Sequence, residues 1–211
     1  MSSPTAPGDA REIAPGLVRW TAPHPDWNPH ATPGNASDWD EMVGSVLYEQ
    51  PEVATLIDPL LPGEERDAFL AWLDGRIAGR PVSILTTIHW HRRDREELAE
   101  RYRAQTTPRA WNAVPAGVKP RPLLGAGETV FWLPAVATLV AGDRLIAPAG
   151  VGLRLCPQSW LEDVHVNRPG LADLLAPLLE LPIERVLVSH GEPVLHDGRA
   201  ALAHAITEAK P

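Results

Sequence analysis

The sequence predicts a layered α/β domain, and three observations carry that prediction. The apolar, β-branched run 82–88 reads as a buried strand, and 184–189 reads as another. Over 64–78 the apolar residues Phe69, Trp72, Leu73 and Ile77 recur at the spacing of one helix face. The chain is strand-rich at first and then alternates strand and helix, twice over, which is the order of a domain built from layers of helix and sheet.

Taken in order, residues 1–10 are small, polar and proline-rich and read as a loose tail. Residues 13–20 carry alternating apolar character around Pro15-Gly16 and predict a first strand. The segment 21–40 holds Pro23, Pro25, Pro29 and Pro33, which exclude a helix. A loop of that length in a compact domain is a functional flap or an insert, and Trp27 and Trp39 favour a packed flap. Strands follow at 44–49 and 53–57, the second ending at Asp58-Pro59, then the 64–78 helix and the 82–88 strand opened by Pro81. Residues 94–104 are helical, with Leu98 and Tyr102 four apart, and Asp94 with Glu97 fits a capping box at its start. The stretch 111–127 carries many Pro and Gly residues and reads as irregular. A hairpin is expected over 129–133 and 135–141, short helices over 157–164 and 171–179 with an interruption at Pro177, a buried strand over 184–189 and a closing helix over 198–209. No internal repeat is visible, and 11–211 is expected to form a single domain.

Composition narrows the function classes. At 211 residues with 44% hydrophobic and 22% charged residues, the chain has the make-up of an ordinary globular domain. A net charge of −8 argues against a broad nucleic-acid or anionic-membrane surface, since both are bound mainly through Lys and Arg. Cys156 is the single cysteine, so no intramolecular disulfide forms, and burial suits it better than a nucleophilic role. Residues 1–10 lack the basic start and apolar core of a signal peptide, and no apolar run approaches the roughly 20 residues that span a bilayer. A cytoplasmic protein acting on a small molecule is the default expectation. Exposed apolar faces on the 64–78 helix or the flap would support a homodimer.

Four groups capable of chemistry stand just past the ends of expected strands: Asp58, His89 with His91, Asp143, and His190. In layered α/β folds sites collect there, because loops converge while the sheet holds them rigid. Two histidines two apart on one strand face can grip one ion, as zinc sites often require, and two imidazoles with a carboxylate leave positions open for water. The same donor set also suits Fe²⁺.

The strings Leu56-Ile57-Asp58-Pro59, His89-Trp90-His91-Arg92-Arg93-Asp94, Ala141-Gly142-Asp143 and Ser189-His190-Gly191 together resemble the metallo-β-lactamase superfamily, including its glyoxalase II-like hydrolases. The resemblance runs from about Ile13 to the C-terminus and implies an αββα sandwich. It implies that His89, His91, Asp143 and His190 hold metal, that Asp143 and His190 serve catalysis, and that Asp58 is the aspartate of the first motif.

The departures are as informative. Where the family places Asp and then His, this chain has Arg93 and Asp94, and no histidine lies between Trp111 and Asp143. Glu128 is the nearest replacement for that missing ligand, and Asp94 either substitutes for the other or caps a helix. Arg93 would set a permanent cation where the family has a carboxylate, free to pair with Asp143. The resemblance with these gaps implies a degenerate active site of one ion, zinc with iron or manganese as alternatives, hydrolysing an ester, thioester, lactone or amide. The other reading is a metal-free member of the fold that binds a small ligand or a protein partner without catalysis.

Overall fold

The computed structural model describes Pro7, residues 9–106 and residues 114–210. Most of the expected N-terminal tail, and residues 111–113 of the expected irregular stretch, lie outside the described residues. The chain forms two compact units. One comprises Met1–Pro25, Met42–Thr86 and Trp90–Pro115, and the other comprises Asp26–Glu41, Thr87–His89 and Ala116–Pro211.

In the first unit six strands lie side by side in their order along the chain: β1 (Arg11–Ala14), β2 (Leu17–Pro23), β3 (Met42–Glu49), β4 (Ala54–Ile57), β5 (Val82–Leu85) and β6 (Gln105–Thr106). Neighbours run antiparallel as far as β4 and parallel from β4 to β6. Each parallel step needs a crossover, and the helices α1 (Arg66–Ile77) and α2 (Arg95–Tyr102) supply the two. Where one strand was expected over 13–20, Pro15-Gly16 instead turns a hairpin. Gly16 takes φ 73° there, and a Cβ would stand 3.0 Å from the Glu49 carbonyl oxygen that faces it.

The helical spacing is realised: α1 buries Phe69, Leu70, Trp72, Leu73 and Ile77. They join Trp20, Leu47, Leu56 and Ile84 in the core of this unit, with the Phe69 ring 5.2 Å from Trp20 and 4.9 Å from Trp72. The helix ends as Ala78 enters the left-handed region at φ 52°.

The second unit carries a four-stranded sheet in the order β12 (Arg185–Leu187), β9 (Thr138–Val140), β8 (Glu128–Leu133), β7 (Lys119–Leu123). A small pair, β10 (Leu145–Ile146) with β11 (Arg154–Leu155), and the helices α3 (Arg168–Leu175) and α4 (Gly198–Glu208) complete it. The expected hairpin of 129–133 and 135–141 forms, with a turn of 3₁₀ helix at Pro134–Val136 between its arms. Asn167 caps α3 by accepting from the Gly170 N–H at 2.9 Å. Beyond Leu175 the chain tightens to a 3₁₀ turn over Ala176–Glu180, as Pro177 requires. Leu171, Leu175, Val186, Leu202 and Ile206 anchor the core of this unit.

The 111–127 stretch contains strand β7, at the edge of its sheet, where Pro120 and Pro122 are tolerated because an edge leaves some N–H groups unpaired. The 82–88 strand stops at Leu85, and the residues from His89 to Asp94 form turns. His89 and His91 therefore do not share one face of a strand, and Trp90 between them is 43% exposed. No helix among the described residues is long and apolar enough to cross a membrane.

Candidate metal centre

Within the first unit, Asp58 follows directly on β4 and is almost wholly buried. It takes φ 47°, held there by its own backbone. Its N–H donates to the Leu85 carbonyl at 3.0 Å, and its carbonyl accepts from Ser45 Oγ at 2.9 Å and Arg93 Nη1 at 2.7 Å. The fixed main chain aims the carboxylate at His91, with Oδ2 2.9 Å from Nδ1, and both side chains are buried. A carboxylate on Nδ1 keeps the proton there and leaves the Nε2 lone pair to bind an ion, the usual way a ligating histidine is oriented.

Two neighbours have other tasks than those the sequence suggested. Arg93, itself at φ 44°, also donates from Nη1 to the Gly44 carbonyl at 2.7 Å, so its guanidinium clamps the β3 and β4 ends. Asp94 precedes α2 but makes no side-chain cap, because its φ −86°, ψ 17° is not the extended shape a capping residue needs. Its Oδ2 accepts instead from the Leu61 N–H at 2.6 Å, and its Oδ1 from Arg66 Nη2 at 3.1 Å. Both the capping box and the substitute-ligand role are displaced by this tie between the β4 loop and the start of α1.

Within the second unit, Asp143 and His190 come together. Asp143 follows β9 after a short turn, and His190 follows β12. Both are buried, with Asp143 Oδ1 3.2 Å from His190 Nε2. The imidazole sits between two indoles, meeting Trp39 and Trp160 edge-on at centroid distances of 5.6 and 5.2 Å. Trp39 belongs to the loop expected to act as a flap, and its carbonyl accepts from Trp27 Nε1 at 3.0 Å, so the two tryptophans pack as expected. His190 Nδ1 is buried with no hydrogen-bond partner among the described residues.

Glu128 opens β8 and is buried, but its oxygens point at backbone. Oε1 accepts from the Gly142 N–H at 2.9 Å, and Oε2 accepts from Asp143 N–H at 2.8 Å and Arg144 N–H at 2.9 Å. Burial and then the neighbouring Asp143 charge push its pKa above the ordinary carboxylate value, while the amides pull the other way. Glu128 thus serves the turn that carries Asp143, and does not fill the place of the missing histidine. Gly142 is required there: a Cβ would lie 2.4 Å from Thr87 Oγ1 and 3.1 Å from Glu128 Oε2.

Arg144 is a residue the sequence reading passed over. It is fully buried, donating from Nε to the Ala126 carbonyl at 2.8 Å and from Nη1 to the Trp160 carbonyl at 2.6 Å. The signal for it was an arginine set between the apolar runs 138–141 and 145–147. His89 is exposed and falls with the second unit, where Thr87 and Ile88 pair with the start of β8.

The donors present suit a divalent ion. Bonds of about 2.0–2.2 Å to zinc place a nitrogen and an oxygen ligand about 2.9 Å apart at a right angle and about 3.4 Å apart at the tetrahedral angle. The Asp143–His190 separation of 3.2 Å lies between these.

The element order and mixed sheets define a metallo-β-lactamase-type α/β fold, and solved structures bear this out. VMB-1, crystallised at pH 5.5, shares 12% identity, with 95% of each chain covered and a TM-score of 0.65. The DIM-1 metallo-β-lactamase exposed to ceftazidime shares 13%, covering 97% of this chain and 98% of that one at TM-score 0.65. A metallo-β-lactamase from Erythrobacter litoralis shares 14%, covering 95% and 91% at TM-score 0.63. At these identities the likeness is one of fold. No protein-family model and no curated relative matches the sequence.

Proposed function

We propose that this protein is a metal-dependent hydrolase with a reduced centre of one ion, zinc in the first instance, with Asp143 and His190 as its ligands. The observation that carries the reading is the Asp143–His190 pair: two buried donors at ligand spacing, one of them a histidine already oriented by indole edges. In the first unit, the Asp58 carboxylate on Nδ1 of His91 prepares Nε2 of that histidine for an ion. Exposed His89 stands outside this set, Arg93 and Glu128 bind backbone, and Asp94 binds the Leu61 N–H and the Arg66 side chain. Among the described residues, that leaves no replacement for the ligands of a second ion.

When bound, zinc supplies Lewis-acid polarisation of a carbonyl and acidifies water. The chain's own part is to hold Asp143 beside His190 and keep indole against the imidazole. The substrate class is an ester, thioester, lactone or amide of a small molecule. A panel of such compounds, assayed with zinc-loaded and chelator-treated protein, tests the reading. Turnover that needs zinc and vanishes in His190→Ala supports it, whereas equal rates in loaded and stripped protein oppose it.

The engagement of Asp94 and Glu128 elsewhere also favours the second reading, a metal-free binding protein on the same fold. It predicts that no metal is retained at any loading.

A further inference from the structure

We propose that Glu128 is a positioning residue of the metal centre, acting on Asp143 through the backbone; this rests on the reading of Asp143 and His190 as ligands. Three consecutive amides, those of Gly142, Asp143 and Arg144, converge on its two oxygens at 2.8–2.9 Å. Successive N–H groups pointing into one concavity form an anion nest, and here the anion is a side chain of the same unit. A carboxylate bound three times over fixes the φ and ψ of the residue between, and so the direction in which the Asp143 side chain leaves the chain.

Two further features tie the turn to the centre. Gly142 leaves no room for a Cβ against Thr87 Oγ1 and Glu128 Oε2, so the turn is packed on its carboxylate. Arg144, held at its amide by Glu128, reaches from its side chain to the Trp160 carbonyl, and Trp160 meets His190 edge-on. One carboxylate thereby braces both Asp143 and a wall of His190. Glu128 touches neither ion nor substrate; its work is orientation.

The test measures zinc affinity by competition with a chromophoric chelator, and the visible spectrum of the cobalt form, in wild type, Glu128→Gln and Leu202→Ala. All are compared at a temperature where circular dichroism shows each to be folded. Glu128→Gln should bind zinc about 10–100-fold more weakly, the usual effect of removing a group that orients a ligand, with an altered cobalt spectrum. Leu202→Ala opens a cavity in the same unit and should lower Tm while leaving both readings at wild-type values. A folded Glu128→Gln with wild-type affinity and spectrum overturns the proposal. Wild type that takes up no zinc overturns the metal reading itself, which is a separate outcome.

Should Glu128→Gln not fold, Glu128→Asp keeps the charge on a shorter arm and should likewise lose affinity. Hydrogen exchange on the wild type needs no variant. The 142–144 amides should be protected like those of the β8–β9 ladder, and free exchange there overturns the brace.

Discussion

Replacing Gly142 by alanine tests the packing of the Asp143 turn with a magnitude that the structure sets. The added methyl would stand 2.4 Å from Thr87 Oγ1, 3.1 Å from Thr87 Cβ and 3.1 Å from Glu128 Oε2. Relief needs a shift of about 1 Å against neighbours that are themselves buried, the range in which overpacking costs about 1–3 kcal/mol. Moving Oε2 also loosens the bonds from Asp143 and Arg144 N–H, each worth about 1.5–3 kcal/mol when made to a charged acceptor. The stiffer unfolded chain returns about 0.4–1 kcal/mol. The net expectation is a loss of about 2–4 kcal/mol in urea unfolding, with the slope against denaturant unchanged. Thr87→Ala removes the 2.4 Å contact, so the double variant should be more stable than the sum of the singles by about 1–2 kcal/mol. Additivity within about 0.5 kcal/mol would refute the packing argument.

Three further expectations follow from other parts of the molecule. Gly191 has φ 94° and a Cβ there would meet the Ala147 carbonyl oxygen at 2.0 Å, so Gly191→Ala should cost more than about 3 kcal/mol; a Tm near wild type would contradict this. Asp58→Asn removes the charged acceptor on His91 Nδ1 and should weaken zinc binding about 10–100-fold with the fold retained, and unchanged affinity in a competition titration would count against the orienting role. Burial pushes the Cys156 thiol up to about 12, so a thiol-reactive chromogen at pH 8 should label it only after unfolding. Because its folded pKa lies above the ordinary 9.0, its contribution is intact below pH 9 and is lost as pH rises from there towards 12. Prompt labelling of native protein would contradict the burial.

Much of this was legible in the sequence because strand-end chemistry leaves local marks. Asp58, Asp143 and His190 each close an apolar run, and the structure sets each just beyond a strand. The 64–78 helix was legible for the same reason, its buried face being written in its own spacing. What failed was tertiary. The 82–88 run stays β-branched to its end, through Thr86, Thr87 and Ile88, yet the Thr129 N–H binds the Thr87 carbonyl and draws the chain out of the strand before His89. Asp94 looked like a cap because its partners, Leu61 and Arg66, lie 33 and 28 positions away. Glu128 looked like a ligand because backbone amides leave no mark in a sequence. β7 was hidden by Pro120 and Pro122, which only an edge strand accepts.

Metal content tests most directly whether Asp143 and His190 hold one ion. Protein purified without a tag or chelator, then dialysed against zinc, should carry about one equivalent by elemental analysis. That equivalent should disappear in Asp143→Ala and His190→Ala and persist in His89→Ala, with all three folded by circular dichroism. No zinc, iron or manganese above background under any loading would contradict the account.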